Sequence, residues 1–274
     1  MARFLLLLSF LLVALVFGVS DADSPAEVYW RSVLPNTPMP SVLRDLIYSN
    51  EALPAATEES VGSFYFSGKS LRIGSTMTLH FTRATAGASL LPRQVADSIP
   101  FSSSKLPNIL SRLSIDPSSE MASSIKKTLA ECEANAMPGE IKHCATSLES
   151  MVDFAMSSLK SRNLRALSTF VSKDTTPNQK YTITGLNKVK ASGLMACHAQ
   201  RYPYAVFRCH TTTSTVYTVS LIGADGSKVI GKVPVHIIDP DHPSEGYRKK
   251  RGVVPDNEPI FHILPQDDII WARV

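Results

Sequence analysis

Apolar positions change their period along this chain. Met121, Ile125 and Leu129 recur every fourth position, and Leu148, Val152, Ala155 and Leu159 make a second stripe of the same kind. Each stripe predicts a helix with one buried face. Asp116-Pro117 reads as an N-cap followed by proline at the first helical position. Thr146-Ser147-Leu148-Glu149 reads as a capping box opening the second helix. From Tyr181 onward the period shortens to two. Residues 181–184, 189–191, 204–210 and 215–222 are rich in β-branched and aromatic residues and predict strands. Ala224-Asp225-Gly226 is a hairpin turn signal, with 228–238 the return strand and 260–264 a further one. Two short strand-like runs broken by Gly74 lie in 71–81, and Pro92, Pro100 and Pro107 make the next stretch loop-rich. Two helices followed by a β-rich C-terminal region give an α+β fold class.

The N-terminus departs from both periods. After Met1-Ala2-Arg3, residues 4–19 are apolar except for Ser9 and Gly18, and Ser20-Asp21-Ala22 offers a cleavage site. This is the composition of a secretory signal peptide over residues 1–22. A membrane anchor is the alternative, but the run is short against the roughly 20 residues of a bilayer span. Residues 23–63 are rich in Pro, Ser, Glu and Ala and predict a flexible, weakly structured arm. Within it Val42, Leu43, Leu46 and Ile47 have helical spacing for a turn or two. The mature chain of about 250 residues then holds one large domain, 64–274. No internal repeat occurs. The net charge of +4 is modest, and a secreted chain gives no reason to assign a nucleic-acid partner or, after signal removal, a membrane. Arg248-Lys249-Lys250-Arg251 reads as a solvated basic loop, with a processing site or a contact to acidic wall polysaccharide as the sharper readings. No Asn-x-Ser/Thr sequon is present.

Candidate chemistry concentrates in 197–271. Four of the seven histidines stand in a pattern: Cys197-His198, Cys209-His210, Val235-His236 and Phe261-His262, with Trp271 beyond. Neighbours in a strand point to opposite faces. Cys209 therefore shares a face with Ala205 and Phe207, and His210 shares the other with Tyr204, Val206 and Arg208. Val233, Val235 and Ile237 leave His236 on the opposite side, and Phe261 with Ile263 does the same for His262. One face of each segment predicts core and the other presents imidazole, so the Cys and His of a pair have separate roles. Four neutral imidazoles suit copper, zinc or nickel; a set of satisfied, partly buried histidines is the alternative. Cys132 and Cys144 flank the inter-helix loop and, in an oxidising compartment, read as a disulfide closing it, with two free thiols the alternative. His80 reads as a packed or surface histidine, or as an additional ligand.

This spacing resembles the BURP domain of secreted plant proteins, whose signature is four Cys-His pairs ending in a Trp. All four His and Trp271 are kept, but Val235 and Phe261 stand where the third and fourth Cys would be. Further matches are Tyr65-Phe66, Met77-Thr78-Leu79-His80-Phe81, Leu91-Pro92-Arg93-Gln94, Ile99-Pro100-Phe101-Ser102, Cys132-Glu133 and the run from Cys144 to Met151. The segment from Val28 to Pro40 resembles the one after the signal peptide in the dehydration-responsive subgroup. The resemblance implies a secreted protein of the apoplast or cell wall with a developmental or stress role. It also implies copper held by His198, His210, His236 and His262, with binding that weakens as pH falls through about 6.5. Some members are copper-dependent peptide cyclases that join a Tyr or Trp side chain to another position of a peptide; acting in trans is the alternative reading here. A peptide substrate or a cell-wall component is the implied partner. Losing the third and fourth Cys together implies that those two pair in the family. That leaves Cys197 bonded to Cys209, with Val235 and Phe261 buried close together.

Overall fold

The computed structural model describes residues 24–49, 65–81, 83–85, 88–173, 178–236 and 259–274. The segment 1–22, with the composition of a signal peptide, the basic run 248–251 and Ile237 lie outside them.

Six helices and twelve strands are described. The helices are α1 (Pro25–Val33), α2 (Ser41–Tyr48), α3 (Arg93–Ser98), α4 (Leu106–Arg112), α5 (Glu120–Glu133) and α6 (Leu148–Leu159). A five-stranded antiparallel sheet has the order β3 (Lys142–Ala145), β8 (Val206–Thr212), β7 (Gly193–Gln200), β12 (Ile269–Arg273), β4 (Leu164–Ser168). A seven-stranded sheet runs β1 (Phe66–Ser67), β11 (Ile260–Phe261), β10 (Lys228–His236), β9 (Thr215–Gly223), β6 (Gln179–Lys188), β2 (Thr76–Leu79), with β5 (Phe170–Val171) also on β10. The α+β class is as expected from the order of periods.

Period two decides what each sheet covers. On β7, Met195, Cys197 and Ala199 point to one core, which α1, α2 and α6 complete with Trp30, Leu43 and Met151. Ala196 points the other way, where it meets Ile270 of β12 and Val216 of β9. The two sheets thus share an apolar layer, and the helices cover the far side of the smaller sheet. The larger sheet has its own core of Met77, Tyr181, Leu221, Val233 and Phe261. The β9–β10 hairpin turns at Gly226, whose φ of 78° is open to a residue without Cβ.

Several elements differ from the sequence reading. The segment with the composition of a flexible arm carries two docked helices. Ser24 caps α1 by accepting from Glu27 N, and Pro25 sits at its first turn. Trp30 and Leu43 are buried, so this apolar surface leaves water against the smaller sheet. α5 starts later than Asp116-Pro117 suggested. Asp116 accepts from the backbone and hydroxyl of Ser118, closing a turn upstream, and Ser119 supplies the cap. α6 is capped by Ser147, which accepts from Ser150 N, so the box anchored on Thr146 does not form. Cys144 lies on β3, and residues 189–191 precede β7 as a loop.

Candidate functional site

Strand pairing assembles the histidines. β7 and β8 pair so that Cys197 faces Cys209 directly. Their Cα atoms are 3.9 Å apart and the sulfurs are bonded, well inside the roughly 7 Å beyond which two cysteines cannot be bridged. Both cysteines are fully buried on the helix side. Cys132 and Cys144 form the second disulfide, and no free cysteine is left. Val235 and Phe261 are cross-strand partners on β10 and β11. Phe261 is buried as expected, whereas Val235 is only half-buried.

With the sulfurs turned to the core, His198 and His210 emerge on the opposite face of the smaller sheet, toward the larger one. Their rings stack at 5.4 Å and their Nε2 atoms lie 3.3 Å apart. His236 ends β10 and His262 follows β11, and their rings stack at 5.4 Å with 11° between planes. All four line one cavity of about 770 Å³ that Tyr65, Glu140 and Asp268 also wall. His80 is exposed and lines no part of it. Trp271 lies on the other face of the sheet, fully buried.

The imidazole nitrogens have defined neighbours. His198 Nδ1 is 2.7 Å from Asp268 Oδ2. Asp268 Oδ1 accepts from Ala199 N at 2.9 Å. His210 Nδ1 is 2.9 Å from Glu140 Oε1 and 3.2 Å from the Thr211 carbonyl. Ser214 Oγ lies 3.1 Å from His236 Nδ1. His262 is buried, and its Nδ1 has no hydrogen-bond partner among the described residues. Burial, then the His198 charge, pushes the His210 pKa down to about 4, against the Glu140 charge, which raises it. Burial likewise holds His262 well below the ordinary histidine value. Both rings are therefore neutral, with a lone pair to donate, well below pH 6.5.

An imidazole nitrogen lies about 2.0–2.1 Å from a divalent first-row ion, which puts two such ligands on one ion roughly 3–3.5 Å apart. The Nε2 pair of His198 and His210 has that spacing. As they stand, no three His, Cys, Asp or Glu side chains among the described residues converge as a ready metal-binding group. The arrangement is two stacked imidazole pairs opening on one cavity. An all-nitrogen donor set with one buried, unpartnered ring nitrogen fits a borderline ion such as copper.

The sequence reading missed three neighbours of these rings. Tyr65 lies 4.9 Å from the His262 ring and 6.4 Å from His236; in the sequence it stands out only as part of the Tyr65-Phe66 match. Glu140 comes from the loop that the Cys132–Cys144 bond closes. Asp268 sits one step beyond the Ile269–Cys197 pair of the β12–β7 ladder, which brings it beside His198. The signal for it was an acidic pair, Asp267-Asp268, directly before the apolar run Ile269-Ile270-Trp271.

Asp267 is fully buried. One carboxylate oxygen accepts from Thr85 N and Oγ1 at 2.7 and 2.8 Å, and the other has no partner among the described residues. Burial, then the Asp268 charge, pushes its pKa from 3.8 up to about 6. Because the folded state holds this proton more tightly than the unfolded one, the stabilisation is complete below about pH 3.8 and lost as pH rises through about 6. Asp267→Asn keeps the acceptor for Thr85 and removes the charge. We expect it to flatten this part of the stability profile and to raise stability at pH 7 by on the order of 3 kcal/mol. Urea unfolding of both proteins between pH 4 and 7 checks this; parallel profiles would show that Asp267 is charged in both states.

A family model described as BURP domain matches residues 64–273. BURP domain-containing protein 6 of Oryza sativa subsp. japonica is 51% identical over 239 residues, covering 86% of this chain and all of the relative. BURP domain-containing protein 2 of the same plant is 47% identical over 288 residues and covers both chains in full. Protein RAFTIN 1B of Triticum aestivum is 38% identical over 217 residues, 76% of this chain and 59% of the relative.

Proposed function

Because the chain belongs to the BURP-domain family, we propose that it is a secreted copper-binding protein of the apoplast or cell wall, acting in development or stress response. The observation that carries the reading is the shared cavity: His198, His210, His236 and His262, far apart in sequence, all line it. Copper would be held by several of these four imidazoles. Bound there, it would supply Lewis acidity and one-electron redox chemistry. The protein's part is to keep the His210 and His262 rings neutral through burial, to hold the two pairs against one cavity, and to keep the sulfurs away from the ion in a disulfide. The apolar first 22 residues support secretion, and the two disulfides agree with an oxidising compartment.

The wild-type protein, expressed into a secretory pathway and loaded with copper, should retain the metal through gel filtration. A variant with all four histidines changed to Ala should retain none, while keeping both disulfides. Equal copper content in the two proteins would overturn the reading.

The second reading, a copper-dependent cyclase acting in trans on a Tyr- or Trp-containing peptide, draws on the cavity's size. About 770 Å³ is within the range of small-molecule sites and admits an aromatic side chain beside the imidazoles. Incubation of the copper-loaded protein with such peptides and dioxygen, the oxidant that would take up the two electrons and two protons removed, followed by mass spectrometry, would reveal a product lighter by two hydrogens.

A further inference from the structure

We infer that Asp268 is a positioning residue that fixes the protonation pattern of His198 and so turns the Nε2 lone pair of that ring into the cavity. The inference rests on the copper reading above and goes beyond it to a residue outside the Cys-His pattern. Three observations carry it. Asp268 is 4% exposed. Its Oδ2 lies 2.7 Å from His198 Nδ1, and its Oδ1 is engaged by Ala199 N at 2.9 Å. The carboxylate is thus held from two sides, by the backbone of the same strand that carries His198.

An ionised carboxylate only accepts hydrogen bonds. Nδ1 of His198 must therefore carry the proton, and in the neutral ring Nε2 keeps its lone pair. His210 is set the same way, because both neighbours of its Nδ1, the Thr211 carbonyl and Glu140, are acceptors. Two Nε2 lone pairs then face each other at 3.3 Å. That contact is repulsive unless one cation, a metal ion or a shared proton, sits between them. The two rings differ in how their pattern is held. His210 has two acceptors at Nδ1, whereas Asp268 is the acceptor found for His198 Nδ1 among the described residues. One substitution should therefore change His198 alone.

Asp268→Asn is that substitution. Its amide oxygen can go on accepting from Ala199 N, which places the amide NH₂ against His198 Nδ1. The ring must then present a lone pair at Nδ1 and carry its proton on Nε2. That proton can be donated to His210 Nε2, so the metal-free variant is fully hydrogen-bonded and should fold, but Nε2 of His198 no longer ligates. Loss of such a partner typically lowers metal affinity by about 10–100-fold.

The test uses the full mature chain. Nitrogen-15 NMR of the metal-free protein should show His198 Nδ1 protonated in the wild type and unprotonated in Asp268→Asn, with His210 Nδ1 protonated in both. Titration with Cu(II) against a competing chelator should show a 10–100-fold weaker complex for Asp268→Asn and an altered Cu(II) electron paramagnetic resonance spectrum. Glu140→Gln, which leaves the Thr211 acceptor in place, should keep the His210 pattern. An unprotonated His198 Nδ1 in the wild type, or a pattern unchanged by Asp268→Asn, would overturn the inference. So would unchanged Cu(II) affinity in Asp268→Asn when His198→Ala weakens it. Failure of the wild type to bind Cu(II), with the protonation pattern as stated, would instead overturn the copper reading and leave the positioning role standing.

Discussion

Phe261→Ala is expected to destabilise the protein by roughly 3–5 kcal/mol, the cost of truncating a fully buried aromatic residue, while leaving the proposed copper binding unchanged. Phe261 has no exposed surface. It belongs to the two-residue strand β11, which is held between β1 and β10. Its ring stacks on Phe66 at 5.5 Å and packs in the core of the larger sheet with Met77, Tyr181, Val233 and Ile263. A strand this short has few backbone hydrogen bonds, so side-chain burial dominates what holds it. The next residue, His262, turns to the other side beside Tyr65. Chemical denaturation gives the stability loss, and copper analysis of the folded variant gives the second half of the result. A folded variant that had lost its copper would show that the apolar face and the imidazole face are coupled. A loss well under 1 kcal/mol would show that β11 repacks around the smaller side chain.

What could be read from the chain divides by the range of the interaction. The alternation around Cys209-His210 and Phe261-His262 was legible because a strand imposes it residue by residue, whatever lies across from it. The bond between Cys197 and Cys209 was legible because a resemblance with two cysteines missing left one sensible pairing. Asp268 was not legible as a partner of His198, since nothing local says which strand will lie beside β7. Glu140 and Thr85 were hidden for the same reason. Local signals also misled where two meanings compete. Pro92 and Pro107 mark a loop by composition, yet Pro92 precedes α3 and Pro107 lies in the first turn of α4, positions where the missing N–H costs nothing. β12 gave no alternation, because both of its faces are buried: Ile269 and Trp271 on the helix side, Ile270 between the sheets.

Trp271→Ala is expected to cost a similar roughly 3–5 kcal/mol, and its effect should be coupled to Trp30. Trp271 is fully buried on β12, an inner strand of the smaller sheet between β7 and β4, with Met195 and Ala166 as cross-strand partners. Its ring centroid lies 5.6 Å from that of Trp30 on α1, a tilted pair at 36°. Trp30 is itself anchored, since its Nε1 donates to the Thr37 carbonyl at 2.7 Å and Thr37 Oγ1 donates to Leu164 O of β4 at 2.6 Å. α1 lies upstream of the residues matched by the family model, 64–273, yet its tryptophan fills the core that the family's terminal Trp occupies. An aromatic pair of this kind is worth about 0.5–1.5 kcal/mol beyond the area it buries. The double variant Trp30→Ala, Trp271→Ala should therefore lose less than the sum of the single losses by about that amount. Denaturant unfolding of the four proteins in the cycle measures it. A positive coupling means that residues 24–48 and the domain unfold as one unit. Strict additivity would mean that α1 rests on the domain without sharing its core.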